Sequence, residues 1–142
     1  MDNSDKYQTQ NRRAIIDVGS NSVKLLVADV KGGVVMPLAH EGEQTRLGHG
    51  VFETGKLDAE AIAATAFVAG RFADKARKLG AVEVKAVATS AAREARNGMD
   101  LIEAFRDVNV SLTIIEGERE AELVLRGVRS HPDFAEGPLA II

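Results

Sequence analysis

The sequence of 142 residues contains no cysteine and no tryptophan, and only 4% of its residues are aromatic. The absence of cysteine excludes disulfides, thiolate catalysis and a cysteine-ligated metal, and it is consistent with a reducing compartment. Any chemistry must therefore come from carboxylates, hydroxyls, backbone amides and bound ions.

Long apolar runs and an excess of positive charge are also missing. No run approaches the roughly 20 residues that span a bilayer, and the first segment, Met1–Asn11, is polar without an apolar signal core. The formal net charge is −3, and both signs are mixed along the chain, so no basic stripe could neutralise a nucleic-acid backbone. These absences predict a cytoplasmic protein that binds neither membranes nor nucleic acid.

The sequence has enough apolar residues, 45%, for one globular domain. Three β-branched segments separated by turn residues predict an antiparallel meander: Ala14–Asp17, Val23–Val30 and Val34–Ala39. The segment Glu41–Lys56 is rich in glycine and has no period, which predicts a mobile loop.

Strands and helices alternate after that loop. Asp58 is the predicted N-cap of a long amphipathic helix that ends at Gly80. The predicted elements that follow are strand Val82–Ala88, helices Ser90–Arg96 and Leu101–Val108, strand Ser111–Ile115, helix Glu118–Arg129 and the opening of a strand at Leu139–Ile142. This order predicts an α/β, ribonuclease-H-like (actin-like) domain: a mixed five-stranded sheet with three antiparallel N-terminal strands and helices packed on it.

The first candidate site follows the first strand, where Asp17 precedes the turn Gly19–Ser22. A turn of small residues can direct backbone N–H groups and hydroxyls at one phosphate, and a carboxylate beside it could hold a hydrated divalent cation. The alternative is an ordinary hairpin turn with an Asx hydrogen bond.

The second candidate site is the segment Thr89–Arg93, where a strand ends in hydroxyl residues and a helix begins. Free N–H groups at a helix start attract anions, and Arg93 could present a planar fork of donors to a phosphate. The alternative is that Thr89 or Ser90 caps the helix and that Arg93 is a solvated surface residue.

The third candidate site is a set of four carboxylates around a predicted helix start: Glu116, Glu118, Glu120 and Glu122. Acidic residues at this position interact favourably with the helix dipole, which gives a structural explanation for most of them. One glutamate facing a phosphate cleft could still act as a general base on water.

Four blocks together resemble the signature of the Ppx/GppA phosphatase family, in the superfamily of acetate kinase, sugar kinases, heat-shock proteins and actin. They are Ile16–Leu25, Thr45–Gly48, Ala86–Ala95 with Asn97-Gly98, and Ile115–Leu123. The resemblance implies an enzyme that uses magnesium to remove the terminal phosphate from inorganic polyphosphate or from guanosine pentaphosphate. It also implies that the full-length protein is a homodimer.

The resemblance further implies roles for individual residues. Glu120 matches the catalytic glutamate, the proposed base that activates water, and Asp17 matches the carboxylate near the metal. Phosphate contacts are implied for Gly19, Ser20, Asn21, Ser22 and Arg93.

The family continues from a strand like Leu139–Ile142 into a second phosphate loop. We therefore expect a polar, disordered leader at 1–11, the first actin-like domain at 12–136, and the truncated start of a second domain at 137–142. Such a chain would hold half of the cleft. Two alternatives are a kinase of the same superfamily, which Asn21 and Ser22 argue against, and a non-catalytic half domain that binds phosphorylated ligands.

Overall fold

The structure is a computed structural model that describes residues 11–131, 133 and 135–137. Within them, the strands are β1 (Arg12–Val18), β2 (Ser22–Lys31), β3 (Val34–Gln44), β4 (Glu83–Ala88) and β5 (Leu112–Ile114). The helices are α1 (Val51–Thr54), α2 (Ala59–Lys78), α3 (Ser90–Glu94), α4 (Gly98–Asp107) and α5 (Gly117–Arg129).

The five strands form one mixed sheet in the order β3-β2-β1-β4-β5. The first three strands pair antiparallel, whereas β4 pairs parallel with both β1 and β5. This arrangement confirms the predicted ribonuclease-H-like (actin-like) domain. It places β1 at the centre of the sheet, between the antiparallel and the parallel halves.

The core lies between one face of the sheet and helix α2. On β1, Ile16 and Val18 are buried while Asp17 between them is exposed, as the alternation of side chains along a strand requires. Helix α2 contributes Phe72 and a series of fully buried alanines, including Ala69, whose small side chains allow close packing on the sheet. Asp17 therefore lies on the face of the sheet that points away from α2.

The prediction of a mobile loop over Glu41–Lys56 is wrong in two places. Residues 41–44 complete β3, and Val51–Thr54 form the short helix α1. The reason is tertiary, because residues 41–44 pair antiparallel with β2, and the ion pairs of Glu41 with Lys75 and of Glu43 with Arg71 add a contact to α2. Gly42 has a low propensity for strands, so the local sequence does not predict this part of β3.

The other predicted elements are present with boundaries shifted by at most about two residues, except that the helix predicted over Leu101–Val108 already begins at Gly98. Asp58 caps α2 as predicted, because its Oδ1 accepts hydrogen bonds from the backbone N–H groups of Glu60 (2.9 Å) and Ala61 (3.1 Å). Asn11, the last residue of the predicted leader, already joins the sheet through a hydrogen bond from Val30 N to its carbonyl oxygen. The rest of that leader and the strand predicted at Leu139–Ile142 lie outside the described residues. In the described part of the chain, no helix has the length and apolar character that crossing a membrane requires.

Candidate active site

The candidate residues gather at one edge of the sheet, beyond the carboxyl ends of the parallel strands β1, β4 and β5. Ligands of α/β sheets commonly bind at this edge. Backbone hydrogen bonds hold the loops there in register, from Thr89 N to Val18 O (3.4 Å) and from Ile115 N to Ala88 O (3.0 Å). The sheet therefore brings together the three segments that the sequence singled out separately.

The turn after β1 has two backbone donors available for an anion. Gly19 N is already used, because it donates to Ser22 O within the turn (3.0 Å), and Ser22 is the first residue of β2. Among the described residues, no acceptor pairs with the backbone N–H groups of Ser20 and Asn21. Both residues are exposed, so of the four predicted loop residues these two offer free backbone donors.

The loop that follows β3 supports this turn from behind. Asn21 O accepts hydrogen bonds from Thr45 N (3.1 Å) and Arg46 N (3.0 Å), and Gly48 N donates to Ser20 O (2.7 Å). A Cβ on Gly48 would lie 2.9 Å from the Ser20 Cβ, so only glycine fits without displacing the turn. The segment Thr45–Gly48 therefore holds the turn after β1 in place.

Ser90 joins the first and second candidate segments. Its hydroxyl lies 3.0 Å from the Ser20 hydroxyl, although 70 residues separate the two in sequence. Thr89 is the N-cap of α3 but makes no side-chain capping hydrogen bond, so the interpretation of Thr89 as a simple cap is wrong. Ser90 was not among the predicted phosphate contacts, and its hydroxyl at a helix start was the only signal that pointed to it.

Arg93 connects the second and third candidate segments. Its Nη1 donates to the Ile115 carbonyl oxygen (2.9 Å) and to Glu120 Oε2 (3.2 Å), and only 24% of its side chain is exposed. The interpretation of Arg93 as a solvated surface residue is therefore wrong. Its Nε and Nη2 atoms make no hydrogen bond within the described residues and can still donate to a ligand.

The glutamates at the start of α5 have different surroundings. Glu122 pairs with Arg119 (2.6 Å) and Arg126 (2.9 Å) on the helix itself, as a structural role requires. Glu120 instead pairs with Arg93 from another element, and 37% of its side chain is exposed. Among the ion pairs of the described residues, Glu120 is the one of these four carboxylates that pairs with a side chain of the second candidate segment.

Asp17 and Glu120 interact electrostatically. The protein around the Asp17 carboxyl removes part of its solvation and raises its pKa; the charge of Lys24 opposes this effect, and the charge of Glu120 adds to it. Lys24 lies directly opposite Asp17 in the β1–β2 pairing. Glu120 thus lies close enough to influence a carboxyl at the end of the central strand.

No preformed metal cage is present in the described part of the chain, which has no group of three histidine, cysteine or carboxylate residues suited to a metal ion. Magnesium commonly binds through one or two carboxylates while it retains waters and contacts substrate phosphates. Asp17 could hold a cation of that kind.

Comparison with known proteins identifies the family. Residues 26–142 match the model of the Ppx/GppA phosphatase family. The chain belongs to this family. It is 35% identical over 141 residues to exopolyphosphatase 2 of Mycobacterium tuberculosis, an alignment that covers 92% of this chain and 44% of the relative. Exopolyphosphatase 1 of Mycobacterium bovis is 34% identical over 128 residues, covering 89% of this chain and 37% of the relative.

Solved structures of Ppx/GppA proteins share the fold. The Aquifex aeolicus family member superimposes with a TM-score of 0.79 at 33% identity, over 86% of this chain and 40% of the other. An exopolyphosphatase from Cytophaga hutchinsonii gives 0.78 at 32% identity, over 85% and 39%. The chain therefore spans less than half the length of these relatives.

Proposed function

We propose that this Ppx/GppA chain supplies one half of a site that hydrolyses the terminal phosphoanhydride bonds of inorganic polyphosphate. The observation that carries the proposal is the Arg93–Glu120 pair, which lies beyond the carboxyl ends of β4 and β5 and whose Glu120 charge acts on Asp17 at the end of β1. In this proposal Glu120 is the base, Asp17 is the carboxylate that holds a cation, and the turn is the phosphate cradle, which are the parts that phosphoryl transfer needs. The names of the mycobacterial relatives support polyphosphate as the substrate class.

In the proposed reaction, Glu120 orients a water molecule and accepts its proton as the water oxygen attacks the terminal phosphorus. The bridging P–O bond breaks, releasing orthophosphate and a polyphosphate shortened by one unit. Backbone N–H groups of Ser20 and Asn21 and the unused donors of Arg93 would bind the negative oxygens of the terminal phosphate. Arg93 would thus bind the phosphate through its Nε and Nη2 atoms while its Nη1 donates a hydrogen bond to Glu120.

Magnesium is the proposed cofactor, held by Asp17 and supplying positive charge beside the phosphates. Guanosine pentaphosphate is the second proposed substrate, since it ends in the same anhydride linkage. A cytoplasmic location and a homodimer in the full-length protein also remain proposals.

The first experiment measures phosphate release from polyphosphate with magnesium. The assay uses two proteins. One is this chain alone, and the other is this chain fused to the part of the M. tuberculosis relative that the alignment does not cover. We expect release from the joined form and a loss of about 100-fold or more in rate for Glu120→Gln, because the base is removed while shape is kept.

Glu118→Gln is the matched control, since it removes the same charge from the same first turn of α5 without touching Arg93. Its rate should stay within about twofold of the unchanged protein, as expected for a group outside the reaction. Near-normal turnover by Glu120→Gln would exclude Glu120 as the base. Phosphorylation of a sugar or acid by ATP, without phosphate release, would instead support a kinase.

A further inference from the structure

We propose that Asn97 is a positioning residue that fixes helix α3, and with it Arg93, relative to the turn after β1. That turn, Gly19–Ser22, is called here the phosphate turn. The inference rests on the proposed function, which assigns Asn97 no role. Asn97 lies in the connection between α3 and α4, shortly after Arg93. It would act through its neighbours and needs no contact with the substrate.

The side chain of Asn97 pairs with the backbone of Leu57. Its Oδ1 accepts a hydrogen bond from Leu57 N (2.7 Å), and its Nδ2 donates to Leu57 O (3.0 Å) and to Asp100 Oδ2 (3.3 Å). Asn97 is the N-cap of α4, where an asparagine side chain commonly accepts a backbone N–H group of its own helix, but it makes no such bond. Its oxygen instead serves a contact between segments 40 residues apart in sequence.

Arg96 strengthens the same contact. Its backbone N donates to Gly55 O (2.9 Å), and its Nη2 donates to Thr54 O (3.0 Å). Arg96 and Asn97 therefore each contribute two hydrogen bonds to the backbone of residues 54–57. These bonds fix the connection after α3 against the segment that precedes α2.

The segment 45–57, called here the strap, joins this contact to the phosphate turn. Near its other end, Gly48 N donates to Ser20 O (2.7 Å). The Ser20 hydroxyl lies 3.0 Å from the Ser90 hydroxyl at the start of α3. The phosphate turn, the strap and α3 thus form a closed ring of contacts, in which Asn97 links the strap to the end of α3.

Helix α3 depends on such outside contacts for its position. It has five residues, and a helix this short is not stable by itself. Its buried residues are Ala91 and Ala92, whose small side chains bury little apolar surface. The connection packs closely on it, because a Cβ at Gly98 would lie 2.8 Å from Ala92 O. Contacts at the end of α3 therefore help to set where Arg93 lies.

Loss of the Asn97 amide should let α3 shift relative to the phosphate turn. In the proposed reaction, Arg93 and the free N–H groups of Ser20 and Asn21 bind the same phosphate, so the distance between them must be kept. A displacement of about 1 Å at a reacting group can lower the rate about 100-fold. A smaller shift of Arg93 would still reduce turnover.

The first test measures phosphate release from polyphosphate by the fused protein. Asn97→Ala should lower kcat/KM about tenfold, because Arg93 is misplaced. In the background of Arg93→Ala, the same substitution should lower kcat/KM by less than about twofold, since the side chain that it positions is already absent. Equal losses in the two backgrounds would show that Asn97 does not act through Arg93, and would overturn the proposal.

Asp58→Ala is the matched control for a general loss of stability. It also removes two hydrogen bonds to the backbone, from Glu60 N and Ala61 N, at the residue next to Leu57. Both variants should lower the unfolding temperature by about 3–8 °C. The control should keep kcat/KM within about twofold of the unchanged protein. A loss as large as that of Asn97→Ala would mean that reduced stability alone lowers the rate.

Amide hydrogen exchange of this chain tests the ring of contacts without turnover. Asn97→Ala should speed the exchange of Gly48 N, which donates to Ser20 O, and of Arg93 N, which donates to Thr89 O, about tenfold. Asp58→Ala should change both rates less than about twofold. Unchanged exchange in Asn97→Ala would overturn the positioning role and leave the proposed function standing. Faster exchange, with no phosphate release by the unchanged fused protein, would overturn the proposed function alone.

Discussion

The folded protein disfavours the charged form of the Asp17 side chain. Partial loss of solvation around the carboxyl raises its pKa above the ordinary value of 3.8, and the charge of Glu120 adds to this effect while that of Lys24 opposes it. The native state therefore binds the Asp17 proton more tightly than the unfolded chain does. This contribution to stability is complete below the unfolded pKa and is lost as the pH rises through the native pKa.

Asp17→Asn should consequently stabilise the isolated chain at neutral pH, by at most about 0.5 kcal/mol, because the exposed part of the carboxyl is screened by solvent. At a pH below the ordinary range of aspartate, the variant and the original protein should unfold at similar temperatures. Thermal unfolding across that pH range checks the prediction. A variant less stable than the original at neutral pH would show that the Asp17 charge stabilises the fold.

The ion pair between Arg93 and Glu120 links helix α3 to helix α5. A double-mutant cycle with Arg93→Ala and Glu120→Gln should give a coupling of about 0.5–1 kcal/mol in unfolding free energy, since the pair is only partly exposed. Arg93→Ala alone should cost more, about 1–2 kcal/mol, because it also removes the donor to Ile115 O.

The pair Arg126–Glu122 is the control for this cycle, because it lies on the surface of α5 and joins no second element. Its coupling should be about 0.3–0.5 kcal/mol, typical of exposed helical pairs. A coupling between Arg93 and Glu120 no larger than this value would mean that the link between α3 and α5 contributes little to stability.

Local sequence patterns were sufficient to predict most elements and their order. The turn that follows Asp17 and the cap at Asp58 are local signals, and the structure contains both of them. The end of β3 was missed because its pairing with β2, rather than local propensity, holds it in place. Tertiary contacts overrode the glycine-rich pattern there.

The individual contacts of the site could not be predicted in the same way. Motif positions indicated Asp17, Arg93 and Glu120, but not that Arg93 holds Glu120 or that Ser20 meets Ser90. Those contacts depend on the parallel pairing of β1 with β4 and of β4 with β5, which strand propensity alone does not specify.

Stability should be unevenly distributed over the whole molecule. Helix α2 buries eight side chains, whereas none on α5 is buried. We expect backbone amides of α5 to exchange hydrogen well before those of α2 and of the central strands, because α5 can open without exposing the core. Native-state hydrogen exchange measures this difference, and equal protection of α2 and α5 would contradict it.

The assembly of the site from distant segments has a consequence for folding. The hairpin of β1 and β2 requires only local contacts, but Ser90 lies 70 residues from Ser20 and reaches it only after a long loop closes. A partly folded chain could thus contain the phosphate turn without its neighbours. Tight phosphate binding would then appear late in refolding, and a bound ligand would stabilise only the completed fold.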